Sequence, residues 1–313
     1  MAKSSSFCPR KTNRRSNHGL RERHWSRLGL AGINSMDELE YIARKICVRR
    51  DMQFVKREGE GTFKQTFQAI DSKGIPLALK LYKVASASGR DAREIRAMKR
   101  CEHPNIARLL SMESYDHKGR SFLAIIEEYL SGGTLTSKGL LSVRQCLDVG
   151  AQLVSAVAHL AHLRLVHRDI KPDNIIFRSD GKTPVITDFG VVRDLSDSSI
   201  TPTWAGRGPG TPFFSAPEQL RNEKTLIDWR TDEFALGVVM AQAAFGDHPY
   251  RVLGASDSDV VERVLSRKQP ATWFTERATE HGLGVLIRMV APWPVDRYRR
   301  PAFLQRAWSE QKG

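Results

Sequence analysis

The chain has 313 residues, 41% of them hydrophobic and 27% charged, and its 49 Lys and Arg against 35 Asp and Glu give a formal net charge of +14. That apolar fraction excludes a wholly disordered chain, and the length suits about two compact lobes. No stretch approaches the roughly 20 apolar residues of a membrane span. No apolar core follows the basic start MAKSSSFCPRKTNRR, so a secretory signal is not expected. Cys8, Cys47, Cys101 and Cys146 are scattered with no Cys-x-x-Cys pair, so a zinc ribbon and a dense disulfide scaffold are excluded too. The expectation is a soluble cytoplasmic protein whose thiols are structural.

In chain order, residues 1–30 hold eight Lys or Arg against one acid, Glu22, which is about half of the whole positive excess. Residues 1–34 read as a basic flexible arm, either a handle for an acidic partner, nucleic acid or anionic lipid, or a solvated tail. Residues 35–52 read as an N-terminal helix and linker. Ser35 and Glu38 have the spacing of a capping box, and Met36, Leu39, Ile42, Ala43 and Ile46 then follow helical spacing, predicting a helix over about Asp37–Val48. Strand-like runs follow at Met52–Lys56, Thr66–Ile70, Leu77–Tyr82 and Phe122–Glu127. Among them a helix is expected at about Arg90–Cys101, with Ala92, Ile95 and Met98 on one face. After Gly132-Gly133 the pattern turns helical, and Ser142–His162 is its longest regular stretch. The order predicts an α+β chain, a small strand-rich lobe followed by a larger helical one.

The residues that carry chemistry begin at His167-Arg168-Asp169-Ile170-Lys171-Pro172-Asp173-Asn174, ahead of the apolar pair Ile175-Ile176. An acid with an amide five residues on can set a base beside a hydroxyl and put an amide oxygen on a metal. Phosphoryl transfer needs both. Thr187-Asp188-Phe189-Gly190 follows the apolar run Pro184-Val185-Ile186, and a carboxylate at a strand end can reach Mg²⁺ between phosphates. Ser215-Ala216-Pro217-Glu218 comes next. Any one of these is weak alone; in this order and spacing they are not accidental.

Together they resemble the eukaryotic-type serine/threonine protein kinase family over about residues 53–310. Arg57-Glu58-Gly59-Glu60-Gly61-Thr62-Phe63 resembles its glycine-rich loop, Leu77-Ala78-Leu79-Lys80 its third-strand lysine motif, and Glu128-Tyr129-Leu130 its hinge. The resemblance implies a two-lobed fold, with the N-lobe at about 53–130 and the C-lobe at about 131–310. It also implies ATP and Mg²⁺ as cofactors and protein Ser/Thr hydroxyls as acceptors. Asp169 would act as the base, Lys171 would offset developing charge, and Lys80 would orient phosphates while held by Glu94. Asn174 and Asp188 would hold the metal. Gly59, Gly61, Ala78, Lys80, Glu128, Leu130 and Ile176 would surround the nucleotide. Asp232 would anchor the catalytic loop, Arg300 would pair with Glu218, and His167 would stack with Met98, Leu109 and Phe189. Thr211 would bond the catalytic loop, and Thr201 or Thr203 would be an activating phosphorylation site. The rival readings are a pseudokinase scaffold, which usually lacks one of these groups, and a small-molecule phosphotransferase, which usually lacks the Ala-Pro-Glu segment.

Three departures from the family pattern stand out. Lys64 replaces the third glycine of the loop and Thr66 the usual valine, and the Lys80-to-Glu94 segment is about five residues short. Glu127 falls where a medium apolar residue or Thr is usual. A buried carboxylate there needs a partner or a raised pKa, unless the alignment is one residue off.

Overall fold

A computed structural model describes residues 37–60, 64–84, 99, 101–188 and 212–311. The arm at 1–34, Ser35, Gly61, Glu94 and nearly all of the helix expected at about Arg90–Cys101 lie outside the described residues. So do Met98, Phe189, Thr201, Thr203 and Thr211.

The first helix, α1 (Glu38–Arg49), is capped by Asp37, whose side chain accepts from the Leu39 N–H and from Gln65 Nε2 at 2.5 Å. The cap is therefore two residues later than the Ser35 box predicts, and it ties the helix to the neighbouring sheet. Five strands follow: β1 (Gln53–Glu60), β2 (Lys64–Ile70), β3 (Pro76–Val84), β4 (Leu109–His117) and β5 (Arg120–Glu128). They form one antiparallel sheet in the order β1-β2-β3-β5-β4. β4 has no strong sequence signature because it is an edge strand: LLSMESYDH is mostly half-exposed and carries polar residues along its length.

The two faces of this sheet do different things, since side chains alternate along each strand. Phe67 and Ala69 of β2, Leu79 and Leu81 of β3, and Phe122, Ala124 and Ile126 of β5 pack with Leu39, Ile42, Ala43, Ile46 and Cys47 of α1. Each such fully buried Leu or Ile contributes about 1.5–3 kcal/mol. The helix ahead of the first strand is thus part of the first lobe's core. The same alternation sends Lys80, Leu123, Ile125 and Glu127 to the opposite face, where Leu123 and Ile125 join the core of the second lobe.

The second lobe is mainly helical. After the short α2 (Leu135–Lys138) comes α3 (Val143–His162), opened by a capping box between Ser142 and Gln145. A two-stranded ribbon follows, β6 (Ile175–Phe177) with β7 (Pro184–Ile186). Then come α4 (Pro217–Leu220), α5 (Trp229–Phe245), α6 (Asp257–Leu265), α7 (Thr272–Glu280), α8 (Val285–Met289) and α9 (Pro301–Ser309). α5 is buried nearly all round and sits at the centre of the lobe. α3 also packs closely on α9: a Cβ at Gly150 would lie 1.9 Å from the Trp308 ring, so only glycine admits that approach.

Candidate active site

On the strand side, Lys80 is held in a cage of oxygens. Its ammonium donates to Glu127 Oε2 at 2.5 Å and to Thr187 Oγ1 at 2.6 Å, and it lies 2.8 Å from Asp188 Oδ1. An ammonium has three N–H donors, so all three have a partner. Tyr82, two residues on and therefore on the same face of β3, donates its hydroxyl to Asp188 Oδ1 at 3.2 Å. Lys64 at the start of β2 forms an ion pair with Asp188 Oδ2. Burial alone would neutralise these charges, but they offset one another. Burial pulls the Lys80 pKa down, and the Asp188 and Glu127 carboxylates more than reverse it, leaving it above the usual lysine value. Burial likewise pushes the Asp188 carboxyl up, while Lys80 and Lys64 hold it well below the usual carboxylate range.

On the loop side, Asp169 lies between α3 and β6. Asn174 Nδ2 donates to its carbonyl at 2.8 Å and to its Oδ2 at 3.0 Å, and Lys171 Nζ donates to the same Oδ2 at 3.2 Å. The loop itself hangs from α5. Asp232, fully buried, accepts the backbone N–H groups of His167 at 2.7 Å and Arg168 at 2.8 Å. Burial outweighs those two N–H groups and the Arg168 charge, and the Asp232 carboxyl is pushed up to about 7. Arg168 has φ +63° and Asp188 φ +62°, left-handed conformations that cost energy in non-glycine residues and cluster at functional sites.

The two sides are stitched together at Thr187. Its N–H donates to the Asn174 carbonyl at 2.9 Å, and the His167 ring nitrogen Nε2 lies 3.1 Å from its carbonyl oxygen. His167 is completely buried, a packing residue. Beyond the cage, Ala78 is buried two residues before Lys80 and pairs across the ladder with Glu127. The Glu128 N–H is committed to the Arg108 carbonyl at 3.1 Å, and its carboxylate to Arg178 at 2.6 Å. Leu130 lies past the end of β5, and Ile176 is half-buried on β6 opposite Val185. Gly59 is in the ladder opposite Thr66. Near it the β1–β2 register slips between Arg57 and Gly59, and Glu58 accepts the Tyr129 hydroxyl at 2.6 Å, joining the glycine-rich strand to the hinge.

One expected pairing is corrected. Glu218 is bonded by Arg297, not Arg300: Arg297 Nη1 lies 2.7 Å from Glu218 Oε1 and Nη2 3.0 Å from Oε2, with both side chains fully buried. Arg300 is the residue before α9, with its guanidinium 5.7 Å from the Phe303 ring. The Glu94 partnership of Lys80 falls outside the described residues. The groups that motif reading missed are Tyr82, Thr187 and Lys64 against Asp188 and Lys80, and Glu127 as a partner of Lys80. For Glu127 the signal was present, since a carboxylate in an apolar strand position demands a counter-charge.

A small strand-rich lobe over a helical one, with a caged lysine above an Asp–Lys–Asn loop, defines a two-lobed phosphotransferase architecture. A protein kinase domain model matches residues 52–309, and the chain belongs to the protein kinase family. It is similar to the DNA damage-responsive serine/threonine-protein kinase RqkA of Deinococcus radiodurans, 34% identical over 212 residues that cover 65% of this chain and 30% of that protein. It is also similar to the serine/threonine-protein kinase PrkC of Bacillus subtilis, 31% identical over 214 residues, 67% of this chain and 31% of that one. A probable serine/threonine-protein kinase of Dictyostelium discoideum, MARK-C, is 29% identical over 231 residues, 71% of this chain and 28% of that one. The chain thus matches less than a third of the length of these relatives. Among the described residues no helix is long and apolar enough to cross a membrane.

Proposed function

We propose that the chain transfers the γ-phosphoryl group of ATP to Ser or Thr hydroxyls of protein substrates. The observation that carries this reading is the meeting of two clusters at Thr187: Lys80 with Asp188 on one side, Asp169 with Lys171 and Asn174 on the other. The residues fit Mg²⁺-ATP. Asp188 stays ionised, and Asn174, its nitrogen committed to Asp169, presents its amide oxygen; these are the hard oxygen donors that Mg²⁺ takes alongside substrate phosphates. Bound Mg²⁺-ATP supplies the transferable phosphoryl group and neutralises its charge. Asp169 orients the acceptor hydroxyl and takes its proton. Lys171, 3.2 Å from that carboxylate, lies where charge develops during transfer and suits Ser/Thr acceptors. Lys80 holds the α- and β-phosphates, with Gly59, Gly61, Ala78, Glu128, Leu130 and Ile176 lining the nucleotide. Phosphorylation of Thr201 or Thr203 is the proposed switch, and the basic arm at 1–34 the proposed contact for an acidic partner. The buried free thiols of Cys47, Cys101 and Cys146 support a reducing compartment such as the cytoplasm.

Phosphate incorporation into a generic protein substrate, compared between wild type and Asp169→Asn, tests the reading. The substitution should lower turnover about 10²- to 10⁴-fold. Equal incorporation by both would instead favour the pseudokinase scaffold.

A further inference from the structure

Glu127 is a buried carboxylate at a position where the family pattern has an apolar residue or Thr, and the structure shows what it does there. It sits near the end of β5, the strand paired with β3. The ladder sets Ala78 opposite Glu127 and Lys80 opposite Ile125, so Lys80 and Glu127 are diagonal neighbours on one face. Long side chains in that relation reach each other. The contact is 2.5 Å, with the two side chains 5% and 3% exposed. A third group closes the arrangement: the Thr187 hydroxyl donates to the same Glu127 oxygen at 3.0 Å while accepting from Lys80 at 2.6 Å. Two of the three donors of the ammonium are therefore used by Glu127 and Thr187, and the third is directed at Asp188.

We propose that Glu127 is a positioning residue of this enzyme, the carboxylate that aims Lys80 at the nucleotide phosphates from within the sheet. The inference rests on the reading of Lys80 as a phosphate-binding group. Its physical content is that both partners are carried on hydrogen-bonded strands of one sheet, so the β3–β5 register fixes their geometry. A carboxylate on the adjacent strand is already in place beside the lysine. Glu127 also supplies the counter-charge that lets a lysine stay ionised when desolvated.

Binding of MgADP and of adenosine to the purified full chain, measured by calorimetry, separates the alternatives because only MgADP carries phosphates. The chains compared are wild type, Glu127→Gln, Glu127→Met, Lys80→Met and the double variant Lys80→Met/Glu127→Met. Glu127→Gln, the isosteric change, should weaken MgADP about tenfold and adenosine less than twofold. Glu127→Met should follow it, and in the Lys80→Met background the second substitution should add less than twofold, because Glu127 acts through Lys80. Equal weakening of MgADP and adenosine by Glu127→Gln would make Glu127 a wall of the base pocket and overturn the proposal. So would unchanged MgADP binding in Glu127→Gln when Lys80→Met is impaired. If Lys80→Met itself bound MgADP like wild type, the reading of Lys80 would fail and the proposal with it. The isosteric variant keeps the test open should Glu127→Met not fold.

Discussion

Asp188, largely shielded with its side chain 11% exposed, and the fully buried Asp232 are both within hydrogen-bond reach of the catalytic machinery, yet desolvation has opposite outcomes for them. Asp188 faces two ammonium groups, Lys80 and Lys64, and is held well below the usual carboxylate range. Asp232 accepts the backbone N–H groups of His167 and Arg168, and burial outweighs them and the Arg168 charge, so that its carboxyl is pushed up to about 7. Desolvation acts on both, and the partner decides the result. The strand side of the cleft is therefore a charged cage that stays ionised. The loop side hangs from an acid whose carboxyl burial pushes well above the usual carboxylate range. A further buried carboxylate, Glu233, accepts the Tyr298 N–H at 3.0 Å and is pushed up to about 8 by burial in spite of the Arg297, Arg230 and Arg288 charges.

Removing a cation from a buried pair should do the greatest damage. Arg297→Ala would leave Glu218 uncompensated in the core and should cost about 3–5 kcal/mol in urea unfolding. Arg300→Ala should stay within about 0.5 kcal/mol, as surface changes do. If the two variants exchanged ranks, the assignment of Arg297 as the buried partner would be wrong.

Cutting the backbone anchor should cost less in stability and more in turnover per unit of stability lost. Asp232→Ala leaves the His167 and Arg168 N–H groups without their acceptor, a loss of about 1–3 kcal/mol. Because that loop carries Asp169, turnover should fall at least tenfold under conditions where the protein is still folded. Full turnover in a folded Asp232→Ala protein would show that the loop holds itself.

The pH dependence of stability sharpens the contrast between a carboxylate paired directly with ammonium groups and those for which burial outweighs the nearby cations. Burial keeps Asp232 and Glu233 protonated up to about 7 and about 8 in the folded chain, against ordinary values of 3.8 and 4.5. The folded state thus binds more protons across that window, and the stability these groups contribute below about pH 4 is lost as pH rises towards 8. His248 runs the other way: burial lowers it from 6.5 to about 3, so its contribution is complete above pH 6.5 and is lost as pH falls towards 3. Of these three groups, only the carboxyls still titrate between about pH 6.5 and 8. Stability should therefore fall with rising pH in that interval, and Glu233→Gln should flatten the slope. Urea midpoints at the two ends of the interval, for wild type and Glu233→Gln, provide the check; equal slopes would mean that Glu233 is ionised in the folded chain.

The smallest effect is expected furthest from both clusters. Deleting residues 1–34 removes eight cations of the arm but leaves Asp37, the cap of α1, and every group of the site in place. Turnover on a generic peptide should stay within a few-fold, measured beside the full chain at the same ionic strength. A collapse would show that the arm acts on the kinase fold directly.

Much of this was legible in the one-dimensional pattern. Lys80, Asp169, Asn174 and Asp188 announce themselves because each sits in a short motif whose spacing is dictated by local backbone geometry. The helix at Val143–His162 and four of the five sheet strands were legible as regular runs for the same local reason. Edge strand β4 escaped because one side of it faces water, which erases the apolar signal. Only the tertiary structure could choose Arg297 among the arginines of Asp296-Arg297-Tyr298-Arg299-Arg300, since which guanidinium points inward depends on how the turn before α9 meets Glu218. It alone decided that Glu127 answers Lys80, because that pair is 47 residues apart in sequence and adjacent only through the β3–β5 register. The sequence by itself determined which chemical groups the protein has and how each stands along its own segment. Which charge neutralises which was left to the packing, because Coulomb attraction and desolvation depend on distances through space, and spacing along a chain does not set those.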